Sequence, residues 1–343
     1  MTTQEEIEKV HGGGTHVVIL GAGASFAATL RNPEKNKQHL PLMRNIVDIV
    51  GLNDVVDALP EEYKKLRNNF EKLYSNLYND KRFIEERGFI ERGIYHYFNQ
   101  LELPDEPTIY DYLVLSLRNN KDLIATFNWD PFLYKAFIRN NKFVKGPGIN
   151  FLHGNVAIGY DEENKISGPA NWSSNEFRKK FEPTQLLYPV EKKDYNSDEY
   201  IAGQWESLSD YLKIAQRVTV FGYSAPVTDV EAIDLLKNAW GDIEDRAMEE
   251  FEIIDIRDEE EVVKAWDKFI HTHHYHYCKD YFESSLAWHP RRSVESYRHW
   301  AMPLSPNEVF QDGNKIPEDF KTLEELWEWH VPLIEAEKRF YES

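Results

Sequence analysis

The sequence has little cysteine, a deficit of basic residues and no long apolar run. Its 343 residues include one cysteine, Cys278, which excludes a disulfide framework and any zinc ribbon built from paired cysteines. No apolar run approaches the roughly 20 residues that span a bilayer, so we expect no membrane association. Lys and Arg total 40 against 59 Asp and Glu, a net charge of −19. This charge repels phosphate backbones, so we expect no nucleic-acid partner.

The composition is that of a folded protein, because 41% of the residues are hydrophobic and 14% are aromatic. The length fits about two average domains or one enlarged α/β unit. The first ten residues, MTTQEEIEKV, are polar and acidic, unlike a signal peptide. Together with the single cysteine, this favours a cytoplasmic location.

Five short apolar runs are typical of buried strands. Each is rich in β-branched or aromatic residues, and most end at a small or polar residue, as buried parallel strands do. The runs are residues 16–20, 123–127, 150–152, 218–221 and 251–256.

Helical patterns lie between these runs. Pro131 suits a first helical position, and an apolar stripe follows it from Phe132 to Phe137. Thr228 and Glu231 have the spacing of a capping box before a second stripe, from Ala232 to Trp240. Strand–helix–strand units with right-handed crossovers place their strands in one parallel sheet, so we predict a Rossmann-like α/β fold.

Two insertions interrupt this domain, which we assign to residues 1–270. The first, about 33–117, has a helical composition; the second, about 156–205, looks irregular and is rich in Asn, Ser and Lys. Residues 271–343 are aromatic and helical in character. We interpret them as a C-terminal appendage that could contact a partner or another copy of the chain.

Residues suited to ligand binding follow the predicted strands. Ligands of open parallel sheets bind outside the carboxyl ends of the strands, so these residues should meet at one edge. They are Gly21, Ala22, Gly23, Ala24 and Ser25; Asn128 and Asp130; His153 and Gly154; Gly222, Tyr223 and Ser224; and Asp255.

The segment Gly21–Ser25 turns from a strand into a helix, where free N–H groups and glycines suit a pyrophosphate. A tight turn without a ligand stays open as an alternative. Phe26 replaces the third glycine of the dinucleotide fingerprint, and no strand ending in an acidic residue follows, because 40–50 looks helical. Both features argue against a nicotinamide dehydrogenase.

Asp130 fits a helix N-cap before Pro131, whereas capping does not explain Asn128, whose amide should face the crevice. His153, between Leu152 and Gly154, titrates near neutrality and can accept a proton from a sugar hydroxyl, although a lone histidine is more often structural.

The segment His271–Cys278 holds four histidines and the cysteine. In a strand, alternation would place His271 and His273 on one face and His274, His276 and Cys278 on the other. Two or three ligands on one face are few for a zinc site. A solvated or packed aromatic segment is therefore the favoured interpretation.

In this order, the motifs resemble the sirtuin fold family. The likeness is greatest to the sirtuin-like NAD-consuming domains of bacterial antiphage defence systems, and it covers roughly residues 15–270. The matching stretches are VVILGAGAS (17–25), LPLM (40–43), LIATFNWDPFLYKAF (123–137), FLHGN (151–155), VFGYSAPVTD (220–229) and EIIDI (252–256).

The resemblance implies a role for each predicted site residue. Gly21, Ala22, Gly23 and Ser25 would hold the NAD pyrophosphate, and Asn128 would position the nicotinamide ribose or the attacking water. Asp130 would hold the carboxamide, and His153, followed by Gly154, would be the base on a ribose hydroxyl. The remaining residues would bind phosphate or the adenine-side ribose; they are Gly222, Tyr223, Ser224 and Asp255.

The sequence departs from protein-deacylating sirtuins in three ways. It lacks their four-cysteine zinc ribbon, so no zinc is expected; it has Phe127 where they usually have Gln; and it has no recognisable acyl-lysine groove. Water is then the expected acceptor of the ADP-ribosyl group, and the sequence predicts an NAD⁺ glycohydrolase. The alternatives are an NAD-dependent deacylase or ADP-ribosyltransferase, and a non-catalytic module that binds NAD or ADP-ribose. We expect NAD⁺ as a substrate, and gating by a separately encoded sensor or by homo-oligomer formation.

Overall fold

The predicted apolar runs form strands of one parallel sheet in a computed structural model of the chain. The structure describes residues 14–30, 40–174, 179–190, 195–223, 230–242, 250–267, 269–270, 275–297 and 315–342. The strands of this sheet are β1 (Thr15–Leu20), β2 (Leu123–Thr126), β3 (Gly148–Phe151), β9 (Ala215–Phe221), β10 (Glu250–Ile254) and β11 (Tyr275–Cys278).

The strand order is β11–β10–β9–β1–β2–β3, and every neighbouring pair is parallel. Successive residues of β1 enter opposite cores: Val18 and Leu20 join one, Val17 and Ile19 the other. A parallel sheet buried on both faces explains why the strands read as continuous apolar runs. The predicted Rossmann-like α/β fold is confirmed.

The first insertion is helical, as predicted, and it packs against the same core as Val18 and Leu20. The helix predicted over 40–50 is shorter in the structure and begins at Ile46, after a turn in which Asn45 Oδ1 accepts from the Leu42 N–H at 2.7 Å. Between β1 and β2 lie α1 (Ala22–Thr29), α2 (Ile46–Val50), α3 (Asn53–Ala58), α4 (Glu61–Lys64), α5 (Phe70–Asn79), a 3₁₀ turn (Lys81–Phe83), α6 (Ile84–Asn99) and α7 (Ile109–Leu115).

The helix predicted after Pro131 is present as α8 (Phe132–Asn140), and the one predicted after Gly222 is present from Val230. The proposed capping residue Thr228 lies outside the described residues. The other helices are α9 (Glu199–Ile214), α10 (Val230–Trp240), α11 (Glu259–Trp266), α12 (Ser285–Trp288), α13 (Ser293–Ser296) and α14 (Leu323–Glu342), with a 3₁₀ turn at Tyr281–Glu283. None of the helices in the described ranges is long and apolar enough to cross a membrane.

The second insertion is more regular than its composition indicates, because it holds two small antiparallel sheets. Gly168 lies against the Phe181 ring, where a Cβ would approach ring atoms to 2.7 Å. These strands have two to four residues, too few to show an alternation of apolar and polar side chains, so the sequence did not predict them. They are β4 (Ile158–Asp161), β5 (Ile166–Pro169), β6 (Ser173–Ser174), β7 (Lys179–Lys180) and β8 (Glu182–Pro183).

The described part of the segment after residue 270 packs against the sheet. It supplies the edge strand β11, and Leu286 and Leu326 are fully buried in the core around Val18. Buried polar contacts add to this packing, since the His16 Nδ1 and Ser293 Oγ atoms lie 2.7 Å apart.

One row of backbone hydrogen bonds joins the carboxyl ends of all six strands. Each donor follows a strand and each acceptor ends the neighbouring strand, at 2.9–3.0 Å. The pairs are Asp255 N to Cys278 O, Gly222 N to Ile254 O, Gly21 N to Phe221 O, Phe127 N to Leu20 O and Leu152 N to Thr126 O.

Glycines permit two strand-end turns to touch beside this row. The Gly23 N–H donates to Gly222 O at 3.0 Å, and a Cβ on Gly21 would lie 2.5 Å from the Tyr223 Cα. Gly222 has φ +61°, and a Cβ there would lie 2.4 Å from the Ala24 nitrogen. Side chains at these positions would separate the turns.

We predict that Gly222→Ala destabilises the protein more than Gly51→Ala. Gly51 also has positive φ (+79°), but a Cβ there meets nothing within 4 Å. Both variants lose about 1–2 kcal/mol for the left-handed backbone. Overpacking against Ala24 should cost Gly222→Ala about 1–3 kcal/mol more. Urea denaturation measures both, and equal losses would show that the turns do not touch in solution.

Candidate active site

The Asn128 side chain connects the end of β2 to the glycine turn after β1. Its Nδ2 donates to Gly21 O at 2.7 Å and to Ser25 Oγ at 2.9 Å. The Tyr110 hydroxyl lies 3.3 Å from the same nitrogen and 2.7 Å from Ser25 Oγ. Asn128, Ser25 and Tyr110 are all buried. The predicted site residues Asn128, Gly21 and Ser25 therefore form one connected group.

Asp130 lies beside this group, just before the next helix. Its Oδ1 accepts from the Phe132 N–H at 3.1 Å, and Pro131 holds the N-cap position that was predicted for Asp130. Burial raises the pKa of Asp130 to about 6, and the hydrogen bond from Ser25 opposes this rise. Near neutral pH the carboxyl therefore exists in both protonation states.

Asn155 ties the ends of β2 and β3 together. Its Nδ2 donates to Asp130 O at 2.6 Å and to Asn128 O at 3.2 Å. The side chain is buried, so these bonds fix the loop that carries both predicted residues. The sequence shows Asn155 only as the last residue of the FLHGN stretch, with no role attached.

His153 lies in an aromatic group at the end of β3. Its Nε2 is 3.0 Å from the Tyr195 hydroxyl, and its ring meets the Phe127 ring edge-to-face with centroids 4.8 Å apart. Phe127 in turn stacks on Tyr223 at 4.1 Å. His153 and Tyr195 are both buried. Tyr195 lies more than 40 positions after His153 in the chain, so the sequence did not predict this contact.

The glycine turn presents both buried and open backbone. Ala22 and Gly23 are exposed, whereas Gly21, Ala24 and Ser25 are buried. The Gly23 N–H is already bonded to Gly222 O. Contact between two turns explains these glycines without a ligand, so the glycines alone are not evidence of phosphate binding.

Two further glycines at this edge have positive φ. Gly154 has φ +74°, and a Cβ there would lie 2.0 Å from Gln185 O, so close packing requires glycine after His153. Gly222 is the second, and Tyr223 follows it with its ring on Phe127. Ser224 lies outside the described residues.

Asp255 follows β10 and pairs with Arg257. Its Oδ1 accepts from Arg257 Nε at 2.9 Å and its Oδ2 from Arg257 Nη2 at 2.6 Å. The Arg257 backbone N–H also donates to Oδ1 at 3.0 Å. A ribose hydroxyl bound by this carboxylate would therefore meet a guanidinium as well.

The structure brings the predicted residues to one edge in two adjoining groups. Asn128, Asp130 and Ser25 lie on one side of the β2 end, and His153 and Tyr223 lie on the other. Phe127, next to Asn128 in the chain, and Asn155, two residues after His153, join the groups. Asp255 stands further along the row, beyond Gly222.

Comparison with known proteins returns Sir2 homologues among the structural neighbours. A Sir2 homologue–NAD complex is 12% identical over 81% of this chain and 88% of that chain, with a TM-score of 0.41. A mutant Sir2 homologue with 2′-O-acetyl ADP-ribose is 12% identical over 90% and 100%, with a TM-score of 0.42. A Sir2 complex with an inhibitor, 2′-O-acetyl-ADP-ribose and a deacetylated peptide is 14% identical over 88% and 98%, with a TM-score of 0.35.

At these scores the likeness carries no inference about the activity of this chain. No family model matches the chain, and no curated protein matches it.

We predict that Asp130→Asn removes a pH-dependent loss of stability. Because its pKa is raised in the folded protein, Asp130 contributes stability below its unfolded pKa of about 3.9 that is lost as pH rises through about 6. The variant should therefore gain about 2 kcal/mol of unfolding free energy relative to wild type between pH 4 and pH 7. Urea denaturation across this range measures the gain.

Asp161→Asn serves as a control of opposite sign. Hydrogen bonds from the Asn164 backbone and side chain lower the pKa of Asp161. Its contribution is present above the unfolded pKa and lost as pH falls, so this variant should lose stability relative to wild type as pH rises. Stability curves for Asp130→Asn that stay parallel to wild type would contradict the raised pKa.

Proposed function

We propose that this chain is an NAD⁺ glycohydrolase that releases nicotinamide and ADP-ribose. The observation that supports it most is the connected group of Asn128, Ser25 and Asp130 at the glycine turn, with His153 on the adjoining strand end. Ligands of parallel sheets bind at this edge. The sirtuin-like order of motifs in the sequence is a second, independent support.

The reaction breaks the bond between the nicotinamide nitrogen and C1′ of the ribose. The bonding electrons leave with nicotinamide, which becomes neutral, and C1′ passes through an oxocarbenium-like state. Water then attacks C1′ and loses a proton. The protein must orient the dinucleotide, exclude competing acceptors and stabilise positive charge on the sugar.

Each group has a property that suits this chemistry. Ala22 and Gly23 are the exposed residues of the turn and would lie nearest to a pyrophosphate. Asp130, with a pKa of about 6, can accept from the carboxamide as a carboxylate near neutral pH. Asn128 would orient the nicotinamide ribose or the attacking water. His153, held between Phe127 and Tyr195, would take a proton from a ribose hydroxyl.

The remaining residues would bind the other half of the dinucleotide. Gly222 and Tyr223 follow β9, next to the glycine turn. Together with Ser224, the next residue in the chain, they would meet a phosphate or the adenine-side ribose. Asp255, with its paired Arg257, offers both an acceptor and donors to ribose hydroxyls. We propose no metal ion for the cleavage step.

The proposal predicts that Asn128→Ala and His153→Ala each lower nicotinamide release by about 100-fold or more, as loss of a positioned hydrogen-bonding group or base does. Purified protein is mixed with NAD⁺, and the products are resolved by chromatography. Asn99→Ala and His96→Ala, at exposed positions of α6, should retain the wild-type rate. Thermal unfolding checks that each variant is folded, since Asn128 also holds the glycine turn.

Tyr195→Phe tests a smaller change at the same site. It keeps the ring beside Trp205 (centroids 4.7 Å apart) and removes only the hydroxyl at His153. A net hydrogen bond is worth up to about 1.5 kcal/mol, so kcat should fall about three- to tenfold with KM unchanged. Tyr200→Phe, a buried ring packed on Tyr160, is the matched control.

The other outcomes identify the alternatives. Wild-type release by either Asn128→Ala or His153→Ala would refute the assignment. Release that requires an acylated peptide would favour a deacylase or ADP-ribosyltransferase. Binding of NAD⁺ or ADP-ribose without turnover would favour a regulatory module.

We further propose that the activity is gated, as a cytoplasmic effector of antiphage defence that depletes NAD⁺. Ungated turnover would drain the NAD⁺ of its host, so a separately encoded sensor or homo-oligomer formation must switch it on. The proposed contact is the segment 271–343, whose described part already packs on the sheet edge through β11.

Gating predicts slow turnover by the purified chain alone and several-fold faster turnover with extract of phage-infected cells. Size-exclusion chromatography with light scattering, run on both samples, distinguishes a bound sensor from self-assembly. Full-speed NAD⁺ consumption by an isolated monomer would exclude gating.

A further inference from the structure

Three metal-ligating side chains meet between β10 and β11, away from the glycine turn. The Glu252 Oε1 lies 3.1 Å from the His276 Nδ1, and this nitrogen lies 3.5 Å from the Cys278 Sγ. One ligand atom from each residue lies within 4.8 Å of the other two. The sequence alone did not show this group, because Glu252 comes from the neighbouring strand.

The parallel register fixes the three positions. Glu252 pairs with His276, and Ile254 pairs with Cys278 two residues further on. Side chains two residues apart share a face, so His276 and Cys278 point to the side of the sheet where Glu252 lies. Paired strands are rigid supports, which a metal site requires.

Two of the three distances between the ligand atoms match the edges of a tetrahedral zinc site, and the third, between the Glu252 oxygen and the Cys278 sulfur, is within 4.8 Å. Zinc bonds of about 2.0 Å to oxygen and nitrogen and 2.3 Å to sulfur imply edges of about 3.3 Å (N–O) and 3.6 Å (N–S). The observed separations are 3.1 Å and 3.5 Å. Carboxylate, imidazole and thiolate are all zinc ligands, and three protein ligands leave a fourth position for water.

A second layer of hydrogen bonds holds the carboxylate. The Thr219 hydroxyl donates to Glu252 Oε2 at 2.8 Å, the Ser285 N–H to Oε1 at 2.9 Å and the Ser285 hydroxyl to Oε2 at 3.1 Å. Metal-bound carboxylates are oriented by partners of this kind. These donors also leave room for a cation, since a carboxylate offers about four lone-pair directions.

The local charge also suits a divalent cation. The buried Arg217 forms an ion pair with Glu250. Glu252 is fully buried, and with a Cys278 thiolate it would supply two negative charges to balance Zn²⁺. His276 is one-third exposed, which gives the ion a path from solvent.

We propose that Glu252, His276 and Cys278 bind one zinc ion that fastens the edge strand β11 to β10. Its existence does not depend on the activity proposed above. Zinc binding would release the Cys278 proton to solvent.

The test uses the full chain without a histidine tag, dialysed against ZnCl₂ or CoCl₂ and then against metal-free buffer. We expect about one metal per chain by elemental analysis, and a near-ultraviolet thiolate-to-cobalt band with Co²⁺. Cys278 is the only cysteine, so this band can arise from no other residue. Zinc should raise the thermal unfolding midpoint, because it binds the folded chain preferentially.

Cys278→Ser should abolish the cobalt band and the rise in midpoint, and His276→Ala should lower metal retention at least tenfold. His96→Ala, an exposed histidine on α6, should change neither readout. No retained metal and no band in the wild-type protein would overturn the proposal. So would a band or a midpoint shift that survives His276→Ala, since the thiol would then bind cobalt without this site.

Discussion

The candidate site depends on the row of five backbone hydrogen bonds that joins the six strand ends. Each bond uses the N–H of a residue just after a strand, including Gly21, Phe127, Gly222 and Asp255. Because every strand ends at the same height, the residues that follow are forced to one edge. A strand that slipped by one residue would also turn its side chains to the opposite face. The parallel register is therefore what turns separate short motifs into one site.

The sequence predicted the sheet because its strands are buried on both faces, and it predicted most of the rim because those residues directly follow strands. It did not predict partners that come from other elements. Tyr110 comes from α7 and Tyr195 from the second insertion, yet they contact Asn128 and His153. Only tertiary packing brings such residues together. The sequence identified Gly21, Gly23 and Gly222 as site residues. It did not show that a neighbouring turn fills the space where their side chains would be.

Side-chain alternation explains why the site has two halves. Phe127 continues the face of β2 that holds Leu123 and Ala125, whereas Asn128 turns toward Ser25 on the other face. His153 packs against Phe127 and therefore shares its side. A substrate that contacts both Asn128 and His153 must pass over the end of β2.

The interior of the sheet carries a chain of polar contacts that ties the segment after residue 270 to the strands. Thr219 donates its proton to Glu252, so its oxygen accepts from His16 Nε2 at 2.7 Å. Burial lowers the pKa of His16, and the neutral ring then has Nδ1 to accept from Ser293 Oγ. Removing Ser293 would leave a buried ring nitrogen without its donor, at a cost of about 1–3 kcal/mol. Because β1 lies at the centre of the sheet, any displacement of this segment would act on the strand that carries the glycine turn.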